Sequence, residues 1–302
     1  MKLTGLHLLL TYRCSLECDH CFVWGSPWQK GTMTLGQVRD MLRQAEELGT
    51  VEWIYFEGGE PFLYYATLLG GVREAAEGGF QVGIVSNGYW ATSPEDAVLS
   101  LRPFAGLVQD ISVSSDLFHN RELPSPEADH ARAAATQLGI PFGVIAVAQP
   151  ANATDSPGVV GQLPQSESAV MYRGRAAAEL AGCVEGLSSE QFTECPYEDL
   201  REPGRVHVDP LGNVHICQGI SLGNLFATPL REICDAYDPD AHPITGPLME
   251  GGPFQLARQY DIPCRESYAD ACHMCDDVRR ALRTRFPEVL APAQMYGVPA
   301  GA

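Results

Sequence analysis

The sequence predicts an α/β fold: an open, partial (β/α)6 barrel followed by a small cysteine-rich α+β domain. Two observations predict the barrel. Short apolar runs alternate with amphipathic stretches up to Cys183, as in β/α units that share a parallel sheet. Helix-start devices stand between them, at Thr34 with Gln37, at Ser93-Pro94-Glu95 and at Ser125-Pro126-Glu127. One observation predicts the second domain: beyond Cys183 the pattern changes to a hairpin and a closing C-x2-C pair. The expected boundaries are 1–183 for the barrel, 184–287 for the smaller domain and 288–302 for a loosely held Ala/Pro/Gly-rich tail.

The elements follow in order. Leu6 to Leu10 is a short apolar run and reads as a buried first strand. Leu35, Val38, Met41, Leu42, Ala45 and Leu48 recur at helical spacing, and Gly49 ends that helix. Strands are expected at Val51 to Phe56, Gln81 to Val85, Leu107 to Val113, Phe142 to Ala148 and Ala169 to Tyr172. Helices are expected at Tyr64 to Glu77, after Ser93, and from Ser125 to Gly139. Arg205 to Asp209 and Asn213 to Cys217, joined through Pro210-Leu211-Gly212, read as a hairpin. Short helices are expected near Pro229 to Ala236 and Leu248 to Gln259, and a last helix from Asp276 to about Arg285.

Composition excludes several classes. The net charge of −18 repels phosphate backbones, so nucleic acid is not the expected partner. No apolar run reaches the roughly 18 residues of a membrane span, and the N-terminus lacks a signal-peptide pattern. Ten cysteines without a signal, some in C-x2-C pairs, favour metal ligation in a reducing cytoplasm over disulfides.

Cys14, Cys18 and Cys21 are spaced C-x3-C-x2-C in the loop after the first strand. Three thiolates on one tight loop can hold three corners of an iron–sulfur cluster and leave one iron open to a ligand. They cannot complete a four-cysteine zinc site, and no further cysteine follows before Cys183. A zinc knuckle or simple buried thiols are the alternatives. Glu57-Gly58-Gly59-Glu60-Pro61 ends the second strand, where glycines permit close backbone approach to a ligand and a carboxylate or carbonyl could bind an ammonium group. An ordinary βα turn is the alternative. Ser86-Asn87-Gly88 ends the third strand. Ser112 and Ser114 share one face of the fourth and need polar partners. Asp116 and His119 lie just beyond, placed to touch substrate or to cap a loop.

These motifs, in this order, resemble the radical S-adenosylmethionine (radical SAM) enzymes over nearly the whole chain. The resemblance implies a TIM-like partial barrel. It implies a 4Fe–4S cluster on Cys14, Cys18 and Cys21 whose open iron is chelated by SAM, reductively cleaved to methionine and a 5′-deoxyadenosyl radical. Gly58, Gly59, Glu60 and Pro61 would contact the SAM amino group, and Ser86, Asn87, Ser112 and Ser114 its ribose or carboxylate. His20 would pack near the adenine. Met171-Tyr172-Arg173-Gly174-Arg175 resembles a late-strand motif in which the arginine, here Arg175, lies near SAM; a surface salt bridge is the alternative.

Cys195, Cys217, Cys272 and Cys275, with the hairpin glycine Gly212, resemble the twitch form of the SPASM auxiliary domain, which carries one further 4Fe–4S cluster. The match is incomplete against a full SPASM domain. A zinc ribbon is the structural alternative and Cys264 an alternative ligand; Cys183 and Cys234 read as buried thiols. The resemblance implies an oxidoreductase acting on a small molecule or peptide, with an electron donor such as flavodoxin or ferredoxin. No domain-length segment precedes the first strand, so a fused leader-peptide recognition domain is not expected. The competing class is a non-catalytic iron–sulfur or zinc scaffold that binds a partner.

Overall fold

The computed structural model describes residues 1–120, 123, 125–150 and 168–298. Five β/α-type strands run parallel in the order β5-β4-β3-β2-β1: β1 Leu3–Thr11, β2 Trp53–Gly58, β3 Gln81–Ser86, β4 Asp110–Ser114 and β5 Phe142–Ile145. Helices α1 Leu35–Leu48, α2 Tyr65–Glu77, α3 Pro94–Leu101 and α4 Pro126–Leu138 connect them. Each start device forms as the sequence implies. Thr34 and Gln37 close a capping box, and Ser93 and Ser125 accept from Asp96 N and Ala128 N. The expected sixth strand at Ala169 to Tyr172 does not form. A single parallel bridge, Val147 to Ser168, stands in its place.

Alternation along β1 divides the sheet into two faces. Leu6, Leu8 and Leu10 point outward with Ile54, Phe56, Val82 and Ile84 onto Val38, Met41, Leu68 and Val72 of α1 and α2. Each such side chain contributes roughly 1.5–3 kcal/mol on burial. The opposite face carries His7, Tyr55, Glu57, Ser112 and Ser114, a polar interior.

After α5 Arg175–Glu179 and the two-residue strand β6 Leu187–Ser188 come β7 Gly204–Val208 and β8 Asn213–Cys217, the expected hairpin. It does not stand apart from the barrel sheet. β7 pairs in parallel with β1, on the side away from β2, so the hairpin covers what would be an open edge. A third strand, β9 Ile220–Asn224, which the sequence reading missed, pairs antiparallel with β8 and completes an eight-stranded, mostly parallel sheet.

The chain then forms α6 Leu230–Ala236, α7 Thr245–Gln259, β10 Ser267–Tyr268 and α8 Ala271–Leu282. α7 breaks at Gly251 and Gly252 ahead of Pro253, and beyond the break Phe254 N donates to Phe192 O. That bond ties α7 to the segment leading to Cys195. A second core joins Leu9, Tyr12 and Val23 of the barrel to Ile216, Leu256, Met274, Val278, Met295 and Tyr296. The tail is therefore packed as far as it is described. Leu290, Met295 and Tyr296 are buried, and Tyr296 Oη donates to Gly219 O at 2.6 Å. No helix among the described residues is long and apolar enough to cross a membrane.

Candidate functional site

The three clustered cysteines leave the end of β1 in a loop held from four sides. Cys21 N donates to Cys18 O, and Cys14 N to Ser26 O. Leu16 N and Asn87 Nδ2 donate to Cys14 Sγ at 3.4 and 3.5 Å, and Gly25 N donates to Cys21 Sγ at 3.2 Å. Burial pushes the Cys14 thiol up to about 12, with Glu60 and Cys21 adding to the rise. Burial also raises Cys18, with Cys21 and Cys14 acting in the same direction and Arg175 against it. The three thiols thus feel one another's charge at one place.

Gly58 and Gly59 make room for this loop. Gly58 has φ +131°, and a Cβ there would lie 2.5 Å from Thr11 O; one on Gly59 would lie 2.2 Å from Arg13 O. The turn instead hydrogen-bonds to the same stretch, Gly59 N to Thr11 O (2.6 Å) and Glu60 N to Arg13 O (2.9 Å). The Glu60 carboxylate is not open to an ammonium group. It is fully buried and accepts from Phe62 N, Ser86 Oγ and Asn87 N. Burial raises it to about 7 in spite of those donors. Its work is to bind the end of β3 to the turn after β2; Pro61, buried, starts the short 3-10 turn that follows. Ser86 Oγ also accepts from Trp90 Nε1 at 2.9 Å.

Asn87, expected to face SAM, spans Cys14 Sγ and Ser15 Oγ (3.0 Å) and so orients the cysteine loop. Ser112 donates to its neighbour Asp110 at 3.2 Å. Ser114 is buried and has no side-chain hydrogen bond among the described residues. His20 stacks on Phe118 at 4.5 Å and meets His119 edge-on at 4.9 Å. Asp116 holds that corner by accepting from Phe118 N, His119 N and Val147 N, and by pairing with His119 Nδ1, which is the loop-capping role.

Arg175 is buried rather than on the surface, and its Nη2 lies 3.8 Å from the exposed Glu17 carboxylate. Arg175 is 5% exposed, donates to Cys18 O (2.7 Å) and Gly25 O (2.8 Å), and lies over the Trp24 ring. Gly174, φ +62°, allows this approach, since a Cβ there would sit 2.6 Å from Phe22 Cα. Arg173, two residues earlier, turns to the other cysteine set. Its Nη1 donates to Cys217 Sγ at 3.5 Å and pairs with buried Glu198 at 3.2 Å. One tripeptide therefore braces both constellations, a role for Arg173 that the motif did not reveal.

The structure brings Cys195, Cys217, Cys272 and Cys275 together. Burial raises the Cys275 thiol to about 12, with Cys217 and Cys195 adding; Cys272 is raised by burial, Asp270 and the same two cysteines. Arg173 opposes the rise at Cys272 and buried Arg279 at Cys275, so two guanidiniums offset the thiolates. Cys272 and Cys275 lie inside α8, N-capped by Asp270, rather than before the last helix. Cys264 is exposed and near Asp277, not among the four. Cys234 is buried as expected; Cys183 is exposed, against expectation.

Three thiols on one loop, and four brought from three segments, are donor sets that fit iron–sulfur clusters.

Residues 8–120 match the Radical SAM superfamily. That stretch of the chain carries the superfamily's domain. Members use a 4Fe–4S cluster and SAM, and the Cys14, Cys18 and Cys21 loop is the part of this chain that fits them. YydG of Bacillus subtilis (strain 168), provisionally named for peptide biosynthesis, is 29% identical over 111 residues, 36% of this chain and 35% of that protein. An S-adenosylmethionine-dependent nucleotide dehydratase of Selenomonas ruminantium is 30% identical over 92 residues, 30% of this chain and 32% of that protein. The matches thus span about a third of the length of these curated relatives. Streptococcus suis SuiB bound to S-adenosylmethionine superposes with TM-score 0.50 at 13% identity, covering 78% of this chain and 66% of that chain, and shares the fold.

Proposed function

We propose that this radical SAM protein reductively cleaves SAM to a 5′-deoxyadenosyl radical that abstracts a hydrogen from a small molecule or peptide, and that a second 4Fe–4S cluster assists the oxidation. The observation that carries the reading is the pair of separate, partly buried thiol sets bridged by Arg173-Gly174-Arg175. The first set supplies three thiolates and leaves a place for an external ligand. The second supplies four and closes the site. When bound, the clusters supply the electron for SAM cleavage and an acceptor for the electron lost by substrate.

The chain's own residues hold this arrangement. Asn87 and Arg175 fix the first loop, Glu60 fixes the turn beside it, and Tyr12 Oη, at 2.8 Å from buried Asp209, ties the loop's base to the hairpin. Peptide and small-molecule substrates both remain in the proposal, since one relative is named for peptide biosynthesis and another for a nucleotide. A flavodoxin or ferredoxin as electron donor belongs to the same proposal, as do the boundaries 1–183 and 184–287.

The test is SAM cleavage by anaerobically reconstituted protein with a reductant, read as 5′-deoxyadenosine. Cys14→Ala should abolish it, because two thiolates would have to hold the cluster. Cleavage by that variant at the wild-type rate would overturn the reading.

A further inference from the structure

A second kind of donor set, containing no cysteine, lies on the inner face of the sheet. His7 is in the middle of β1, Glu57 near the end of β2 and His207 in β7, on three adjacent strands. The register sets His7 opposite both Tyr55 and His207, and Glu57 opposite Leu9, so all three side chains share one face. Both imidazoles converge on one carboxylate oxygen: His7 Nδ1 lies 3.2 Å and His207 Nε2 3.1 Å from Glu57 Oε1. One donor atom from each residue lies within 4.8 Å of the other two.

Two imidazole nitrogens and one carboxylate oxygen are donor types that suit a divalent transition metal. The side chains of His7, Glu57 and His207 keep 14%, 12% and 8% exposure, so the group opens on the interior rather than being sealed.

We infer that His7, Glu57 and His207 bind one divalent transition-metal ion in the barrel interior. Two histidines and one carboxylate occupy one side of the ion and leave further positions open. Those positions face the interior that Tyr55 and Ser112 also line. Glu57 directly precedes Gly58, so the ion lies beneath the turn that braces the cysteine loop. An oxygen or nitrogen donor of the substrate fits the open positions, a clause that rests on the reading of the chain as an enzyme; metal binding itself does not.

The experiment uses protein with its clusters loaded anaerobically, so that free thiols do not compete, then stripped with a mild chelator and titrated with Zn2+. Bound zinc and its K-edge X-ray absorption are measured without SAM, so the result is independent of turnover. One zinc per chain is expected, with nitrogen and oxygen neighbours at about 2.0–2.1 Å and no sulfur shell near about 2.3 Å. Glu57→Gln and His207→Gln should each weaken binding about 100-fold or more with iron content unchanged. A sulfur-dominated spectrum, no tightly bound zinc in the wild type, or equal affinity in Glu57→Gln would overturn the assignment. The wild-type spectrum decides the matter even where a variant fails to fold.

Discussion

Gly59→Ala is the substitution whose effect the structure fixes most sharply. The new Cβ would stand 2.2 Å from Arg13 O, 2.6 Å from Arg13 C and 2.9 Å from Tyr12 C, all backbone atoms that no rotamer change can move. Opening 2.2 Å to an ordinary contact of 3.4 Å requires a backbone shift of about 1.2 Å. That shift breaks the Gly59 N to Thr11 O and Glu60 N to Arg13 O bonds. Two lost hydrogen bonds at about 0.5–1.5 kcal/mol each, with overpacking of about 1–3 kcal/mol, give a local cost of roughly 2–6 kcal/mol. Arg13 adjoins Cys14, so the displacement passes directly to the first thiol. The expected result is loss of the first cluster's iron together with SAM cleavage, whereas a plain ligand-contact role would leave the iron in place. Gly182→Ala is the control, because a Cβ there meets nothing within 4 Å and its φ is not in the left-handed region. Iron analysis and 5′-deoxyadenosine yield decide the matter. Full iron in Gly59→Ala would refute the packing argument.

Two further outcomes follow from buried groups. Arg175→Met keeps an apolar stem over Trp24 but leaves Cys18 O and Gly25 O without their donor, which should cost about 2–4 kcal/mol and speed iron release from the first site only; unchanged urea midpoint and iron retention would contradict this. His242 is lowered to about 4 by burial, while its Nδ1 accepts from Ile244 N and Thr245 N. The unfolded chain therefore binds a proton that the folded chain refuses, so stability is full above about pH 6.5 and falls by up to about 3 kcal/mol as pH drops towards 4. His242→Asn, which keeps an acceptor, should flatten that stretch of the stability curve; an unaltered slope would show that His242 titrates normally.

What the sequence disclosed and what it withheld divide along contact distance. The capping box at Thr34 and Gln37, the C-x3-C-x2-C loop and the Asn213–Cys217 strand depend on neighbours within a few residues, and each formed as read. Glu60 was legible as a motif residue but not in its role, because its partners Ser86 and Asn87 stand 26 and 27 residues away. The sixth strand failed because Ala169 to Tyr172 was judged on apolar content, while the chain runs on from Ser168 to place Arg173 and Arg175 against two distant loops. His7 was read only as part of an apolar run. Only the parallel pairing of β1 with β7, nearly 200 residues later in the chain, shows that it faces His207. β9 was missed because Ile220 to Asn224 is short and carries Gly223 and Asn224, residues uncommon in strands.

The central claim is that two thiol sets hold two separable clusters, only the first of which meets SAM. The direct measurement is iron and sulfide content with SAM cleavage in the double variant Cys272→Ala, Cys275→Ala beside the wild type. Fully loaded wild type should hold about eight irons per chain and the variant about four. The variant should still form 5′-deoxyadenosine in the absence of substrate while failing to complete substrate oxidation. About four irons in the wild type, or zinc at the second thiol set, would contradict the account.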